Sequence, residues 1–154
     1  MGRAFGFLTA LTVMLALLAG ASDETVAQTG APPELTGFKT PTGNIHCMLV
    51  PTLPSGESPA VLRCDLQKTD NRPPARPKSC DLEWGKAFEV PLYAVKGARV
   101  CAGDTVADEK WPVLPYGAIW QREGFSCLSE QTGLTCFNIR RAGFTLSRAQ
   151  QSLF

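Results

Sequence analysis

The sequence has few of the residues on which most metal and redox centres depend. It contains a single histidine, His46, and its six cysteines include no Cys-x-x-Cys pair. Common zinc sites draw several ligands from closely spaced cysteines and histidines. Reactive dithiol centres usually occur as Cys-x-x-Cys. We therefore expect no metal and no cofactor.

An excess of one charge is also missing. The chain has 15 Lys plus Arg against 14 Asp plus Glu, a formal net charge of +1. Nucleic-acid-binding domains carry a clustered surplus of Lys and Arg that neutralises phosphates. We therefore expect no nucleic-acid partner.

The one long apolar run is too short for a membrane span. It covers residues 4–18, follows Arg3 and precedes a series of small residues. A bilayer requires roughly 20 apolar residues, whereas a basic residue, a short apolar run and small residues form a secretory signal peptide. We predict a signal peptide over residues 1–27, cleaved after Ala21 or Ala27. Because Ala21 stands where a lipid-bearing cysteine would be needed, the mature chain is expected to be secreted or periplasmic, without a lipid anchor or a membrane span.

The remainder of the chain has the length and pattern of one β-rich domain. Residues 28–36 are polar and proline-bearing, which predicts a disordered lead, and residues 37–154 are expected to form a single domain. Short alternating apolar segments are separated by Pro, Gly and Asn turn signals, without sustained helical periodicity. This pattern is typical of an all-β fold, here a small antiparallel β-sandwich or barrel.

The six cysteines all lie beyond the predicted signal peptide. In an exported chain they indicate three disulfides. Sequential pairing is preferred among the possible connectivities because each pair then joins neighbouring predicted strands. The expected bonds are Cys47–Cys64, Cys80–Cys101 and Cys127–Cys136.

The C-terminal third contains a predicted β-hairpin with one cysteine on each arm. Placing Cys127 opposite Cys136 leaves Glu130–Gly133 as a four-residue loop. Alternation then puts apolar residues on both faces of the hairpin, so we expect both faces to be covered. Beyond it, Ser147 is expected to cap a short helix that runs to Leu153.

Several sequence blocks have a characteristic order. They are F-K-T-P-T-G-N-I-H-C from Phe38, C-A-G-D-T from Cys101, L-P-Y-G from Leu114, G-F-S-C-L-S-E-Q-T-G-L-T-C-F-N from Gly124 and G-F-T-L-S-R from Gly143. Through them the chain resembles a family of small exported bacterial disulfide-rich domains of unknown function. The resemblance runs from about Phe38 to Arg148. It implies a single secreted or lipid-anchored domain with paired cysteines, and it implies no reaction, ligand or catalytic residue.

Two catalytic arrangements are conceivable from the sequence. His46 could serve as the base for Ser126 or Ser129. No nucleophile-elbow motif accompanies it, however, so we interpret His46 as a polar residue on the less buried face of a strand. Paired carboxylates could act without histidine, which makes a small secreted hydrolase the alternative function. The candidate carboxylates are Asp104, Asp108, Glu109 and Glu123.

Two polar loops of opposite charge are the preferred candidates for binding. The first, Asp65–Ser79, is basic, and the second, Gly103–Trp111, is acidic. If they lie together, they either pair with each other or present a two-signed surface. Among the tryptophans, Trp84 and Trp120 are assigned to the core and Trp111 to the binding surface. The proposed binding residues are Arg72, Arg76, Lys78, Asp104, Asp108 and Trp111.

These loops predict a non-catalytic binding or interaction module for an extracytoplasmic protein or envelope ligand. A protease inhibitor that presents the first loop is a further alternative. It is weakened because Arg72 and Arg76 both precede a proline. The sequence does not indicate an oligomeric state.

Overall fold

The computed structural model describes residues 1–2, 36–52, 56 and 58–154. The predicted signal peptide and polar lead lie outside these residues, apart from Met1, Gly2 and Thr36. The chain divides into two units, Met1–Ala31 and Pro32–Phe154, and all the strands belong to the second. No helix in the described residues is long and apolar enough to cross a membrane.

The described residues contain ten antiparallel strands, which form two five-stranded sheets. The first sheet contains β1 (Thr36–Lys39), β2 (Ile45–Val50), β3 (Val61–Leu66), β4 (Glu83–Pro91) and β5 (Ala98–Ala102). The second contains β6 (Ile119–Arg122), β7 (Phe125–Glu130), β8 (Gly133–Phe137), β9 (Gly143–Leu146) and β10 (Gln151–Leu153). In each sheet the strands are paired in chain order. The predicted all-β antiparallel fold is confirmed. Of its two expected forms, sandwich or barrel, the structure has two separate sheets.

The core lies between the two sheets because strand alternation directs one apolar row of each strand inward. In β2, Cys47 and Leu49 are buried in the core, whereas His46 and Met48 point to the outer face. Phe88 of the first sheet and Phe144 of the second meet with ring centroids 6.2 Å apart. Burial of these large apolar side chains is the main force that holds the sheets together.

The three disulfides connect sequential cysteines, as the sequence analysis preferred. Two of them face each other across the core. Cys47–Cys64 joins β2 to β3 and Cys127–Cys136 joins β7 to β8, and all four cysteines are fully buried. The sulfur atoms of Cys47, Cys64 and Cys136 lie within 4.8 Å of one another. Each sheet is therefore stapled at the centre of the sandwich.

The predicted hairpin register is correct, but the prediction that both of its faces are covered is wrong. Cys127 pairs with Cys136, and pairing continues to Glu130 and Gly133, so that only two residues remain in the loop. On the outer face, Leu128 and Phe137 are half-buried. A two-layer sandwich packs only one face of each sheet. The apolar outer residues of the hairpin therefore face away from the core.

The C-terminal helix predicted from Ser147 is also wrong. The Ser147 N–H donates to the Gln150 carbonyl over 2.8 Å, and the Gln150 N–H donates to the Ser147 hydroxyl over 3.1 Å. This tight turn leads into β10, which pairs with β9. A helix this short has too few internal hydrogen bonds to be stable. Pairing with an existing strand satisfies the same backbone groups.

Candidate functional site

The acidic loop Gly103–Trp111 lies across the outer face of the first sheet. The Val106 N–H donates to Asp65 Oδ2 over 3.0 Å, and the Asp108 N–H donates to His46 Nδ1 over 3.3 Å. The Trp111 indole N–H donates to the Val106 carbonyl over 2.9 Å. The loop backbone is thus hydrogen-bonded to the sheet, and Trp111 is hydrogen-bonded to the loop backbone.

His46 is buried, contrary to the prediction that it lies on a less buried strand face. Its Nδ1 accepts a hydrogen bond from the backbone of Asp108, so Nε2 carries the proton and donates it to the Gly43 carbonyl over 2.9 Å. The acidic loop covers the imidazole and leaves it 1% exposed. Both ring nitrogens therefore serve the backbone. Ser126 and Ser129 lie on β7 of the second sheet, and neither bonds to the imidazole.

Arg63 forms ion pairs with two carboxylates on this outer face. Its Nε lies 3.0 Å from Asp65 Oδ1, and its Nη1 lies 2.9 Å from Asp104 Oδ1. The hydrogen bond and charge of Arg63 lower the pKa of Asp104. An ionised carboxylate that is held by a guanidinium is a poor general acid. The network is thus suited to fixing the start of the acidic loop rather than to proton transfer.

The other candidate carboxylates are separated from this network. Glu109 accepts from Lys39 Nζ over 2.9 Å, and this bond lowers the pKa of Glu109. Asp108 accepts from the Lys110 N–H over 2.8 Å. Glu123 belongs to the turn between β6 and β7 of the second sheet. The four carboxylates singled out from the sequence therefore do not form one catalytic pair.

Glu89 is a perturbed carboxyl that the sequence analysis missed. It lies opposite Arg63 in the pairing of β3 with β4, and burial raises its pKa. The sequence feature that could have indicated this group is the presence of three charged residues, Arg63, Asp65 and Glu89, at outward positions of otherwise apolar strands. Alternation alone predicts that outer-face positions are polar, so it gave no reason to single them out.

Trp111 is half-buried and does not form an open aromatic platform. Its indole packs on Gly37 of β1 so closely that a Cβ at this glycine would overlap Trp111 Cε2. The absence of a side chain at Gly37 therefore allows the indole to pack on β1 at the end of the acidic loop. Trp111 has a structural role at this position.

The basic loop has a different character, because all of residues 71–79 are exposed. Arg72, Arg76 and Lys78 form none of the four ion pairs found among the described residues. The loop is nevertheless held in place. Arg148 Nη2 lies 2.6 Å from Asp70 Oδ1, and the Trp84 indole donates to the Pro74 carbonyl over 3.0 Å. Arg72, Arg76 and Lys78 are thus displayed on an anchored loop.

Trp84 lies at the centre of this region and not in the core, where the sequence analysis placed it. The register of β4 against β5 shifts between Trp84 and Ala87, and Gly85 has φ 117° there. A β-bulge of this kind changes the direction in which a side chain points. Trp84 is consequently half-buried, whereas Phe88 and Val90 farther along β4 reach the core. By contrast, Trp120 packs against the core, and its ring centroid lies 5.2 Å from that of Phe38.

Two clefts meet at Trp84. One, of about 390 Å³, is lined by Trp84 and the basic loop, including Arg72 and Arg76. The other, of about 250 Å³, is lined by Trp84 and by residues that include Glu83 and Asp104. We call Arg72, Arg76, Glu83, Trp84 and Asp104 the two-loop surface. Trp84 lines both clefts, one with the cations and the other with the carboxylates.

The Cys80–Cys101 disulfide joins the two loops. Cys80 directly follows the basic loop, and Cys101 lies in β5, two residues before the acidic loop. Nearby, Leu82 lies against Gly103, where an added Cβ would be 3.3 Å from Leu82 Cδ2. None of the ion pairs in the described part of the chain connects one loop to the other. The disulfide therefore links the two loops covalently, and their opposite charges are not paired with each other in these ion pairs.

The two sheets, the three disulfides and the anchored surface loops define a small stapled all-β domain. The chain belongs to DUF6636, a family of unknown function, which matches residues 10–154. Comparison with curated proteins and with solved structures finds no match for the chain. Structural disulfides persist in oxidising compartments, so the three bonds fit a protein that works outside the cytoplasm.

Proposed function

We propose that this protein is an exported, non-catalytic binding module that is secreted or periplasmic. Its partner is an extracytoplasmic protein that contributes an acidic segment to the two-loop surface. The predicted signal peptide and the three disulfides support export. The arrangement around Trp84 supports binding.

The observation that carries the proposal is the display of Arg72 and Arg76 beside a partly exposed indole. Neither guanidinium has an ion-pair partner among the described residues. Arginine and tryptophan dominate the energetics of protein interfaces because they combine a large contact area with directed hydrogen bonds. A planar guanidinium also binds a carboxylate in a bidentate manner. An acidic partner segment that covers Trp84 would use both features.

The hydrolase alternative has less support in the geometry. Asp104 is held by Arg63, Glu109 by Lys39, and both nitrogens of His46 by the backbone. Groups that are engaged in this way are less well placed for proton transfer than free ones. An anchored loop with unpaired cations requires no chemistry of this kind in order to bind.

The test is affinity capture with the mature, oxidised protein from the envelope and medium of the source cell. We expect one defined acidic protein to be retained, and the Arg72→Gln, Arg76→Gln double variant to lose it. Lys96→Gln is the matched control, because Lys96 is exposed in the turn between β4 and β5, away from the two-loop surface. Retention should weaken as salt is raised, since exposed charges are screened over about 8 Å at physiological ionic strength.

Equal retention by the double variant and the wild type would contradict the proposal. Hydrolysis of an envelope substrate that disappears with Asp104→Asn would instead favour the carboxylate hydrolase. Both assays use the same purified proteins, so the two functions are tested side by side.

A further inference from the structure

A third cleft, separate from the two-loop surface, lies on the second sheet. It has a volume of about 450 Å³, and its lining includes Gln121, Glu123, Ser126, Phe137 and Arg141. Phe137 and Ser126 are paired neighbours on the outer face of β8 and β7. The cleft therefore combines an apolar floor with polar and charged walls.

Two residues that line this cleft have an unusual backbone conformation. Arg141 has φ 65° and Glu123 has φ 46°, and they are the only non-glycine residues with positive φ in the described part of the chain. Glu123 with Gly124 forms the two-residue turn between β6 and β7, where Asn-Gly is the preferred pair. Five residues separate β8 from β9, and the Asn138 N–H donates to the Ala142 carbonyl over 2.9 Å, which leaves a three-residue loop between them. Arg141 is the last residue of this loop, a position that usually holds glycine. Neither turn requires a charged residue there.

The turn that carries Arg141 is held by Asn138, whose side chain is 1% exposed. Asn138 Nδ2 donates to the carbonyls of Pro91 and Ala94 over 2.9 and 2.8 Å. Its Oδ1 accepts from the N–H groups of Arg140 and Ala142 over 2.9 and 3.1 Å. These bonds anchor the turn to the first sheet. The strained backbone is thus maintained by buried hydrogen bonds, which is the usual setting of strain at functional sites.

The Arg141 guanidinium lies over the aromatic ring of Phe137. The guanidinium carbon lies 4.4 Å from the centroid of the Phe137 ring. Stacking on an aromatic face leaves the N–H groups at the edge of the guanidinium free to bind a carboxylate. Arg141 takes part in none of the ion pairs of the described residues.

The remaining walls complement Arg141. Gln121 Nε2 donates to Ser126 Oγ over 3.2 Å, so the hydroxyl proton of Ser126 is free to donate to a second ligand oxygen. Glu123 supplies a carboxylate that can accept from an amino group. Ile139, which is 55% exposed, supplies an apolar contact at the rim.

We propose that this cleft binds the α-carboxylate of an apolar amino acid, either as the free amino acid or as the C-terminal residue of a peptide. Arg141 and Ser126 bind the carboxylate, and the apolar side chain packs on Phe137 and Ile139. Glu123 binds the ammonium group when the ligand is a free amino acid. This inference does not depend on the function proposed for the two-loop surface.

The test is an NMR titration of the mature, oxidised protein with three probes: leucine, N-acetylleucine and N-acetylleucinamide. We expect N-acetylleucine to shift the signals of Ser126 and Arg141 with a Kd of about 1 mM, which is typical of so small a ligand. The amide should bind at least about tenfold more weakly, because it lacks the carboxylate. Leucine that binds more tightly than N-acetylleucine identifies the free amino acid as the ligand. The reverse order identifies a peptide C-terminus.

Three variants separate binding from folding. Arg141→Gln should weaken N-acetylleucine binding about tenfold, because it removes the charge-assisted pair. Arg140→Gln is the matched control: Arg140 is the exposed neighbouring arginine, it is not part of the cleft lining, and binding should be unchanged. Arg141→Gly should lose binding while the Tm rises, since glycine suits the positive φ.

The proposal is overturned if no carboxylate probe shifts these signals up to a concentration of about ten times the expected Kd. Equal affinity for N-acetylleucine and its amide would also overturn it, as would unchanged binding by Arg141→Gln. A rise in Tm for Arg141→Gly without binding of any probe to the wild type would show that the strained turn has no ligand of this class.

Discussion

Removal of the Cys80–Cys101 disulfide is the sharpest test of how this domain is stabilised. We consider the double variant Cys80→Ala, Cys101→Ala. The two cysteines are 21 positions apart, so the bond closes a ring of 22 residues. In the chain-entropy model such a ring stabilises the folded state by about 3 kcal/mol, because it restricts the unfolded chain. Neither cysteine belongs to the central core cluster, so the substitution should add little loss of packing.

The variant should therefore stay folded with a lower free energy of unfolding. A domain of this size has about 5 to 15 kcal/mol of net stability, which exceeds the predicted loss. Urea unfolding followed by near-UV circular dichroism should give a lower midpoint. The m-value should be unchanged once the effect of the lost cross-link on the unfolded chain is corrected for. The matched comparison is Cys47→Ala, Cys64→Ala, whose ring of 18 residues is slightly smaller. That variant should lose more stability, because a cavity in the core adds to the entropic loss.

The same experiment bears on the two-loop surface. Without the covalent link, the basic and acidic loops are expected to move relative to each other, and partner retention should fall although the core is intact. A loss of less than about 1 kcal/mol would refute the entropic argument, because the ring is too large for so small an effect. Complete unfolding of the variant would show that the bond supports the core, which this structure does not indicate.

Three further substitutions test other parts of the argument. Arg141→Gly should raise the free energy of unfolding by about 1 kcal/mol, since it relieves a left-handed backbone; a loss in urea unfolding would mean that stacking on Phe137 outweighs the strain. Gly97→Ala should cost about 1 to 3 kcal/mol, because its Cβ would overlap the Gly143 carbonyl of the second sheet, and an unchanged midpoint would contradict this close approach. Burial raises the pKa of Glu89 above its ordinary value of 4.5, so its contribution to stability is fully present below that value and is lost as the pH rises through the folded-state pKa. Glu89→Gln should therefore be more stable than the wild type at neutral pH and similar to it near pH 4, and a gain that is equal at both pH values would exclude titration as the cause.

Much of the fold could be predicted because its signals are local. The spacing of Cys127 and Cys136 predicted the register of β7 and β8. Disulfide pairing followed from the same local reasoning, since strands that are adjacent in the chain are also adjacent in each sheet. Two of the wrong predictions concern which strand faces are covered by other parts of the chain. His46 is buried by a loop that lies far along the chain, whereas Leu128 and Phe137 on the outer face of the hairpin are only half-buried.

The candidate sites were less predictable for a related reason. The charges of the two loops are visible in the sequence, but a bulge at Gly85 decides that Trp84 points to the surface and lies between them. Similarly, the sequence shows Glu123 and Arg141 as ordinary charged residues. Their positive φ values and their shared cleft result from two separate turns at the same end of the second sheet.

The sequence by itself determined the all-β class, the preferred cysteine pairs and the register of the hairpin, because these depend on side-chain alternation and on contacts between neighbouring strands. Only the tertiary structure decided which charges are neutralised and which are displayed. Arg63 meets Asp104 across 41 positions of the chain, and Lys39 meets Glu109 across 70, whereas Arg72 and Arg76 are in none of the ion pairs of the described residues. Such pairings depend on which loop crosses which sheet face, and this is set by packing between layers and not by any local pattern.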